Sequence, residues 1–225
     1  MQTIQYELNI ALIPDNNLAG RHIAASQTMA SKHPAYIQLN SVAPRLAFAP
    51  HLTLYQVSVA HDSLLEAMDG LQKAAQSFGV QTAKTTQYAY NAGEASFEVR
   101  YEATGQLLAM QKSILDAVNP LRNGLLLEKD PGGNTVSELL DAEGVLGENI
   151  RATGFAEVGD PAQGGLFRPH VTLNWFKIGT EVDENDSALP ALETLNGDYT
   201  HLGVYLLGPY GTCAQRLAAY PLQAS

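Results

Sequence analysis

The sequence predicts an α+β fold: two lobes of sheet plus helix flanking a central cleft. Two observations carry the prediction. Strand-patterned and helix-patterned segments are mixed in both halves of the 225 residues. A five-residue pattern also occurs once in each half, as Pro50-His51-Leu52-Thr53-Leu54 and Pro169-His170-Val171-Thr172-Leu173. The two copies differ at one apolar position only, and each opens a strand-like run. Two similar lobes facing each other account for both observations. No short-period repeat is present, which excludes a solenoid.

The elements follow in order. Residues 4–13 form a β-type run that ends at Pro14. Residues 17–30 are Ala-rich with apolar positions at helical spacing, and Pro34 blocks continuation. Residues 35–40 read as a short strand, residues 46–48 as an apolar approach to Pro50, and residues 51–59 as a strong strand. Asp62 or Ser63 caps a helix that Gly79 stops. Residues 85–90 and 95–101 form a hairpin on the turn Asn91-Ala92-Gly93-Glu94. Thr104 caps a helix through Val118, and residues 125–127 read as a short strand. The Gly-, Asp- and Glu-rich stretch 130–168 reads as a loop-rich insertion holding one helix near 136–142. A strand over 171–178, a weak helix within 188–195 and two closing strands, 201–207 and 213–220, complete the chain. Gly208-Pro209-Tyr210-Gly211 supplies the turn between the last two. A single two-lobed domain over 1–225 fits this length.

Composition narrows the function classes. Hydrophobic residues make up 45%, enough for a substantial core. The formal net charge is −10 with no Lys/Arg run, so long nucleic acid is not an expected partner. A small nucleotide or a short RNA end needs only a few local donors and remains open. The one cysteine, Cys213, rules out an intrachain disulfide and argues against a Cys-based zinc site. That usage suits a reducing cytoplasm. The N-terminus has no positive leader and reads as a strand rather than a signal peptide. No segment reaches the ~20 apolar residues of a membrane span. The oligomeric state is not legible.

The duplicated pattern carries the chemistry. Side chains two apart share one face of a strand. His51 and Thr53 therefore point together, as do His170 and Thr172, while Leu52, Leu54, Val171 and Leu173 face the core. By the same alternation Tyr55 and Asn174 extend the two polar rows toward the cleft. Two imidazoles and two hydroxyls around one small anion suit phosphodiester cleavage. A neutral imidazole takes a proton, a protonated one gives a proton to the leaving oxygen, and hydroxyls hold the non-bridging oxygens. This set needs neither a metal ion nor another cofactor. Base and acid cannot be told apart at this level, since the motif is symmetric.

In PHLTL at 50–54, in FRPHVTLNWF at 167–176 and in element order over nearly the whole chain, the sequence resembles the two-histidine (2H) phosphoesterase superfamily. The nearest group is the bacterial 2'-5' RNA ligase / RNA 2',3'-cyclic phosphodiesterase proteins. The resemblance implies a bilobal α+β fold with pseudo-twofold symmetry and a catalytic quartet of His51, Thr53, His170 and Thr172. It implies hydrolysis of a 2',3'-cyclic phosphate, with a 2'-5' phosphodiester or a cyclic oligonucleotide as the alternative substrate. A nucleotide-sequestering protein with low turnover is the alternative of another class. The stretch 130–168 is long against the compact family pattern.

Further candidates surround the motifs. Arg168 could bind phosphate bidentately, with Arg45 a weaker candidate. Tyr210 could stack on a base. Residues 130–134 lack the Lys-Ser/Thr ending of a phosphate-binding loop and read as a plain turn. His22, His33, His61 and His201 read as structural or surface positions. Cys213 reads as a buried small residue.

Overall fold

The computed structural model describes residues 4–40 and 49–224. In chain order the elements are β1 (Gln5–Pro14), α1 (Asn16–Lys32), β2 (Ala35–Gln38), β3 (Leu52–Ala60), α2 (Leu64–Gln76), β4 (Gln81–Ala83) and β5 (Thr85–Asn91). They continue with β6 (Ser96–Tyr101), α3 (Gly105–Val118), α4 (Gly144–Thr153), β7 (His170–Phe176), β8 (Gly197–Leu207) and β9 (Cys213–Pro221). Arg45 and the approach at 46–48 lie outside the described residues.

The strands form two antiparallel sheets. One runs β3-β1-β8, with β4 and β9 pairing successive segments of β8; the other runs β2-β7-β6-β5. Each sheet carries one His-x-Thr copy, on β3 and on β7. The α+β expectation is therefore met.

Local chemistry explains the boundaries. The Asp15 carboxylate accepts from the Leu18 amide at 2.7 Å and starts α1, which stops at His33 before Pro34. The Thr104 hydroxyl caps α3 through the Leu107 amide at 3.2 Å. β1 has Leu8, Asn9, Ile10, Ala11 and Leu12 all fully buried, because both of its faces and both of its edges are covered. Helix α1 packs on β7, and α2 and α3 pack on each other and against β8–β9 and β3 respectively. One apolar core runs under both sheets, with Leu52, Leu54, Val171 and Leu173 in it.

Four readings need correction. The stretch 130–168 contains α4 in addition to a 3₁₀ turn over Val136–Asp141. Gly144 and Gly147 masked its periodicity. Ile150 and Leu146 pack with Leu127 and Val136 into a separate small core, which stabilises a helix of poor intrinsic propensity. Gly154 ends it in the left-handed conformation at φ 75°. Residues 125–127 are not a strand, Gln81–Ala83 is one, and the helix sought within 188–195 is a 3₁₀ turn over Leu192–Leu195.

Candidate active site

The two motif strands share a local irregularity. Along β1–β3, Ile10 lies opposite Tyr55 but Ala11 lies opposite Thr53, so Leu54 is an extra residue in β3. Along β6–β7, Phe97 lies opposite Asn174 but Glu98 lies opposite Thr172, so Leu173 is an extra residue in β7. Each copy thus has a β-bulge immediately after its threonine. A bulge resets the alternation of side chains. The residues that follow His51 and Thr53 on the cleft wall are therefore Gln56 rather than Tyr55, and those that follow His170 and Thr172 are Trp175 rather than Asn174. All six of these side chains line one cleft between the sheets.

Tyr55 and Asn174 were expected in the cleft, and the bulges remove them from it. Tyr55 is fully buried, and its hydroxyl donates to the Thr153 carbonyl at 2.6 Å, tying β3 to the end of α4. Asn174 is fully buried and donates from Nδ2 to the Ser26 carbonyl at 3.2 Å, tying β7 to α1. Both are structural cross-links.

The histidines are held alike. His51 Nδ1 lies 3.0 Å from the Ala49 carbonyl, and His170 Nδ1 lies 2.7 Å from the Arg168 carbonyl. Each partner is two residues upstream, across the motif proline. A carbonyl only accepts, so Nδ1 carries the proton in both rings and Nε2 is the nitrogen left to exchange protons. Their surroundings differ. Burial lowers the His51 pKa, the carbonyls of Ala49 and Gly211 oppose this, and the charge of His170 adds to the lowering. His170 sits among carboxylates: Nε2 is 3.7 Å from Glu98 Oε2, and Nδ1 is 3.8 Å from Glu157 Oε2.

Glu98 is the residue that sequence reading missed. It is 1% exposed and faces the cleft from β6, directly opposite Thr172. Its Oε1 accepts from Arg100 Nε at 2.6 Å and is ion-paired with Arg168 Nη1 at 3.1 Å, leaving Oε2 toward His170. Burial alone would raise the Glu98 pKa, but the charges of His170 and Arg168 and the hydrogen bond from Arg100 outweigh it, so the carboxyl is held low. The signal was present: Ser96, Glu98 and Arg100 alternate with apolar Phe97, Val99 and Tyr101, the pattern of a strand with one polar face. Arg168 lines the cleft, and its guanidinium is paired with Glu98 and, at 2.9 Å, with Glu157. Asn9 of β1 also serves the site. Its Oδ1 accepts from the Thr53 hydroxyl at 3.2 Å, and its Nδ2 donates to the Gly211 carbonyl at 2.9 Å.

Tyr210 reaches the cleft from the β8–β9 turn. It holds a left-handed conformation at φ 59°, and its ring centroid lies 5.1 Å from that of Trp175. Residues 130–134 are the plain turn expected, closed by Asp130 accepting from Asn134 N and Nδ2. Cys213 is buried, which raises its thiol pKa. His22 is a buried core residue whose pKa burial lowers to about 3, with Nε2 2.5 Å from the Tyr101 hydroxyl. Among the described residues, no three His, Cys, Asp or Glu side chains are grouped to hold a metal ion, and no helix is long and apolar enough to cross a membrane.

Comparison with known proteins gives no matching family model and no matching curated sequence. Solved structures do match. The chain is similar to TT0787 of Thermus thermophilus, with a TM-score of 0.61 at 16% identity, covering 97% of this chain and 99% of that one. It is similar to E. coli LigT complexed with NADP+, with a TM-score of 0.55 at 13% identity, covering 97% and 99%. It is similar to a structure described as a phosphoesterase, with a TM-score of 0.54 at 12% identity, covering 98% and 99%. E. coli LigT is also solved with ATP, phosphate and 3'-AMP. At such identities the likeness establishes a shared fold over essentially the whole chain.

Proposed function

We propose that this chain is a phosphodiesterase that hydrolyses a 2',3'-cyclic phosphate, at an RNA end or on a small nucleotide. Catalysis is by acid–base exchange between His51 and His170 and uses no metal ion. The observation that carries this reading is the matched pair of imidazoles. They come from two sheets, each is fixed through Nδ1 by the carbonyl two residues upstream, and each stands beside a threonine on the wall of one cleft. In this reading residues 1–225 form one bilobal catalytic unit, each lobe giving one His-x-Thr strand. The 2H resemblance of the motifs points the same way, as does the fold shared with LigT, which is solved with small nucleotides and phosphate.

The chemistry divides by electrostatics. His51, whose pKa is lowered chiefly by burial, is the base: its Nε2 takes a proton from water as the water oxygen bonds to phosphorus. His170, facing the Glu98 carboxylate, is the acid: it gives its Nε2 proton to the ribose oxygen as the phosphorus–oxygen bond breaks. The product is a phosphomonoester with a free 2' or 3' hydroxyl. Thr172 and Thr53 donate to the non-bridging oxygens, the Thr53 hydroxyl turning from Asn9 to do so. Arg168, already paired with Glu98 and Glu157, balances charge in the cleft and lends part of its fork to the phosphate. The Trp175–Tyr210 pair receives the base by stacking.

The deciding experiment incubates the protein, in chelator, with nucleoside 2',3'-cyclic phosphates, 3',5'-cyclic nucleotides, 2'-5'- and 3'-5'-linked dinucleotides and cyclic oligonucleotides. Products are identified by mass and phosphate isomer. Ring opening of the 2',3'-cyclic phosphates to one monoester isomer is the expected result. Preferential cleavage of a 2'-5' linkage or of a cyclic oligonucleotide would replace the substrate assignment. Tight binding without turnover would move the chain to the nucleotide-sequestering class. Activity lost in chelator and restored by one divalent cation would overturn the mechanism.

A further inference from the structure

The end of the cleft beyond the two bulges is a closed ring of four segments. A Cβ built on Gly132 would lie 3.0 Å from Glu94 Oε1, so the 130–134 turn touches Glu94. A Cβ on Gly211 would lie 3.2 Å from Pro131, so the same turn touches the β8–β9 turn. That turn carries Tyr210 against Trp175, and Trp175 pairs with Ser96, two residues from Glu94. Glu94, Tyr210 and Trp175 thus surround one space, with Gln56 in its wall.

The acceptors here lack donors. Of the acids lining the cleft, Glu98 and Glu157 are committed to Arg168, and Asp130 to Asn134. The Glu94 carboxylate has no hydrogen-bond donor among the described residues, although burial and the neighbouring acids raise its pKa despite the charge of Arg168. Gln56 is 2% exposed, and its Oε1 is buried without a partner. The buried Gln56 oxygen costs stability while it lacks a donor, and the partly buried Glu94 carboxylate is open to accept, so a ligand that supplies donors satisfies both. The aromatic pair defines the ligand's shape as flat. Because Leu173 is the bulged residue, Thr172 pairs with Glu98 and Trp175 with Ser96, two residues of β6 apart, about 7 Å at 3.3 Å per residue, within a mononucleotide's span from phosphate to base edge.

Resting on the phosphodiesterase reading above, the geometry points to this end of the cleft as a guanine subsite. In it the base stacks on Trp175 and Tyr210, and Glu94 accepts from its N1–H and N2–H₂ edge. Guanine alone among the four bases offers two adjacent donors there. Adenine and cytosine each set a ring-nitrogen acceptor beside one amino group, and uracil sets one N–H between two carbonyls. A carboxylate is repelled by each of those acceptors. Gln56 lies on the opposite sheet from Glu94, where a turn of its amide can meet the remaining donor of the N2 amino group.

Calorimetric titration with the 3'-monophosphates of guanosine, adenosine, cytidine and uridine tests the subsite without requiring turnover. The parent protein should bind the guanine nucleotide roughly 10- to 100-fold more tightly than the adenine nucleotide, the range of one bidentate edge contact. Glu94→Gln should weaken guanine binding and strengthen the other three, whose acceptors the carboxylate repels, so that the preference for guanine is lost. Tyr210→Ala, at a half-exposed position, should weaken all four alike, since stacking tolerates every base. Equal affinity for the four bases in the parent protein would overturn the assignment. So would a guanine preference that survives Glu94→Gln. A Glu94-dependent preference in a protein that hydrolyses none of the cyclic phosphates would uphold the subsite while refuting the hydrolase reading, so the two failures are distinct.

Discussion

Replacing Glu98 by glutamine keeps the shape of the cleft wall and removes one charge. Glu98 Oε2 stands 3.7 Å from His170 Nε2. At that distance two unit charges attract by about 1 kcal/mol in water and by about 4 kcal/mol at an effective dielectric of 20. Arg100 and Arg168 grip the other oxygen and share the carboxylate's field, so the lower part of this span applies, about 1–2 kcal/mol. An energy of that size is a factor of about 5–30 in rate. In the proposed reaction the carboxylate at 3.7 Å holds the proton-donating imidazole in place, so Glu98→Gln should lower kcat/KM for the identified substrate by about 5- to 30-fold. The acidic limb of the pH profile, assigned to His51 whose pKa burial lowers below its ordinary 6.5, should stay in place. The assay is kcat/KM across the pH range of activity, with thermal unfolding as a check on the fold. An unchanged kcat/KM in a folded variant would refute the role given to Glu98, and an increase would refute the sign.

Other outcomes follow from the same geometry. His51→Ala and His170→Ala should each cost about 10²–10⁴-fold in rate. The double variant should be little worse than the poorer single one, because acid and base act as a unit; additive losses would argue against the pair. Thr172→Ala should lower kcat by about 10²-fold, as loss of an oxyanion donor does, whereas Thr172→Ser should retain most of it. Tyr55→Phe should cost about 1 kcal/mol of stability through the lost bond to the Thr153 carbonyl and leave kcat unchanged; a large kcat effect would return Tyr55 to the site. His22 is neutral in the fold, with a pKa near 3, and takes up a proton on unfolding below its ordinary 6.5. Its contribution is complete above pH 6.5 and is lost at up to about 1.4 kcal/mol per pH unit as pH falls toward 3. A His22→Gln variant should show a shallower loss of thermal stability between pH 6.5 and 4 than the parent.

The elements legible in the sequence are those set by local chemistry. Asp15 and Thr104 declare helix starts, Pro14 and Pro34 end runs, and Asn91-Ala92-Gly93-Glu94 turns a hairpin. The catalytic candidates were legible for the same reason: His-x-Thr is a two-residue spacing, and the alternation of a strand places both groups on one face without reference to anything distant. The helix α4 was not legible, because Gly144 and Gly147 dilute its pattern and only packing with Leu127 and Val136 makes it stable.

Beyond the threonines, local alternation fails, and only the tertiary structure decides which residues face the cleft. Tyr55 and Asn174 sit in the correct phase of an ideal strand, yet the bulges at Leu54 and Leu173 turn them into the core and bring Gln56 and Trp175 forward. A bulge is a property of the pairing between two strands, and the partners β1 and β6 are distant in sequence from β3 and β7. Glu98 was visible on the polar face of its strand, but its meaning depends on pairing with β7, which sets it against His170 and Arg168. The sequence by itself determined the fold class and the candidate reactive groups, since both follow from short-range periodicity. The asymmetry between two motifs that differ at one apolar position arises from the burial and charge that each meets across the cleft, and those are long-range quantities that exist only once the chain has folded.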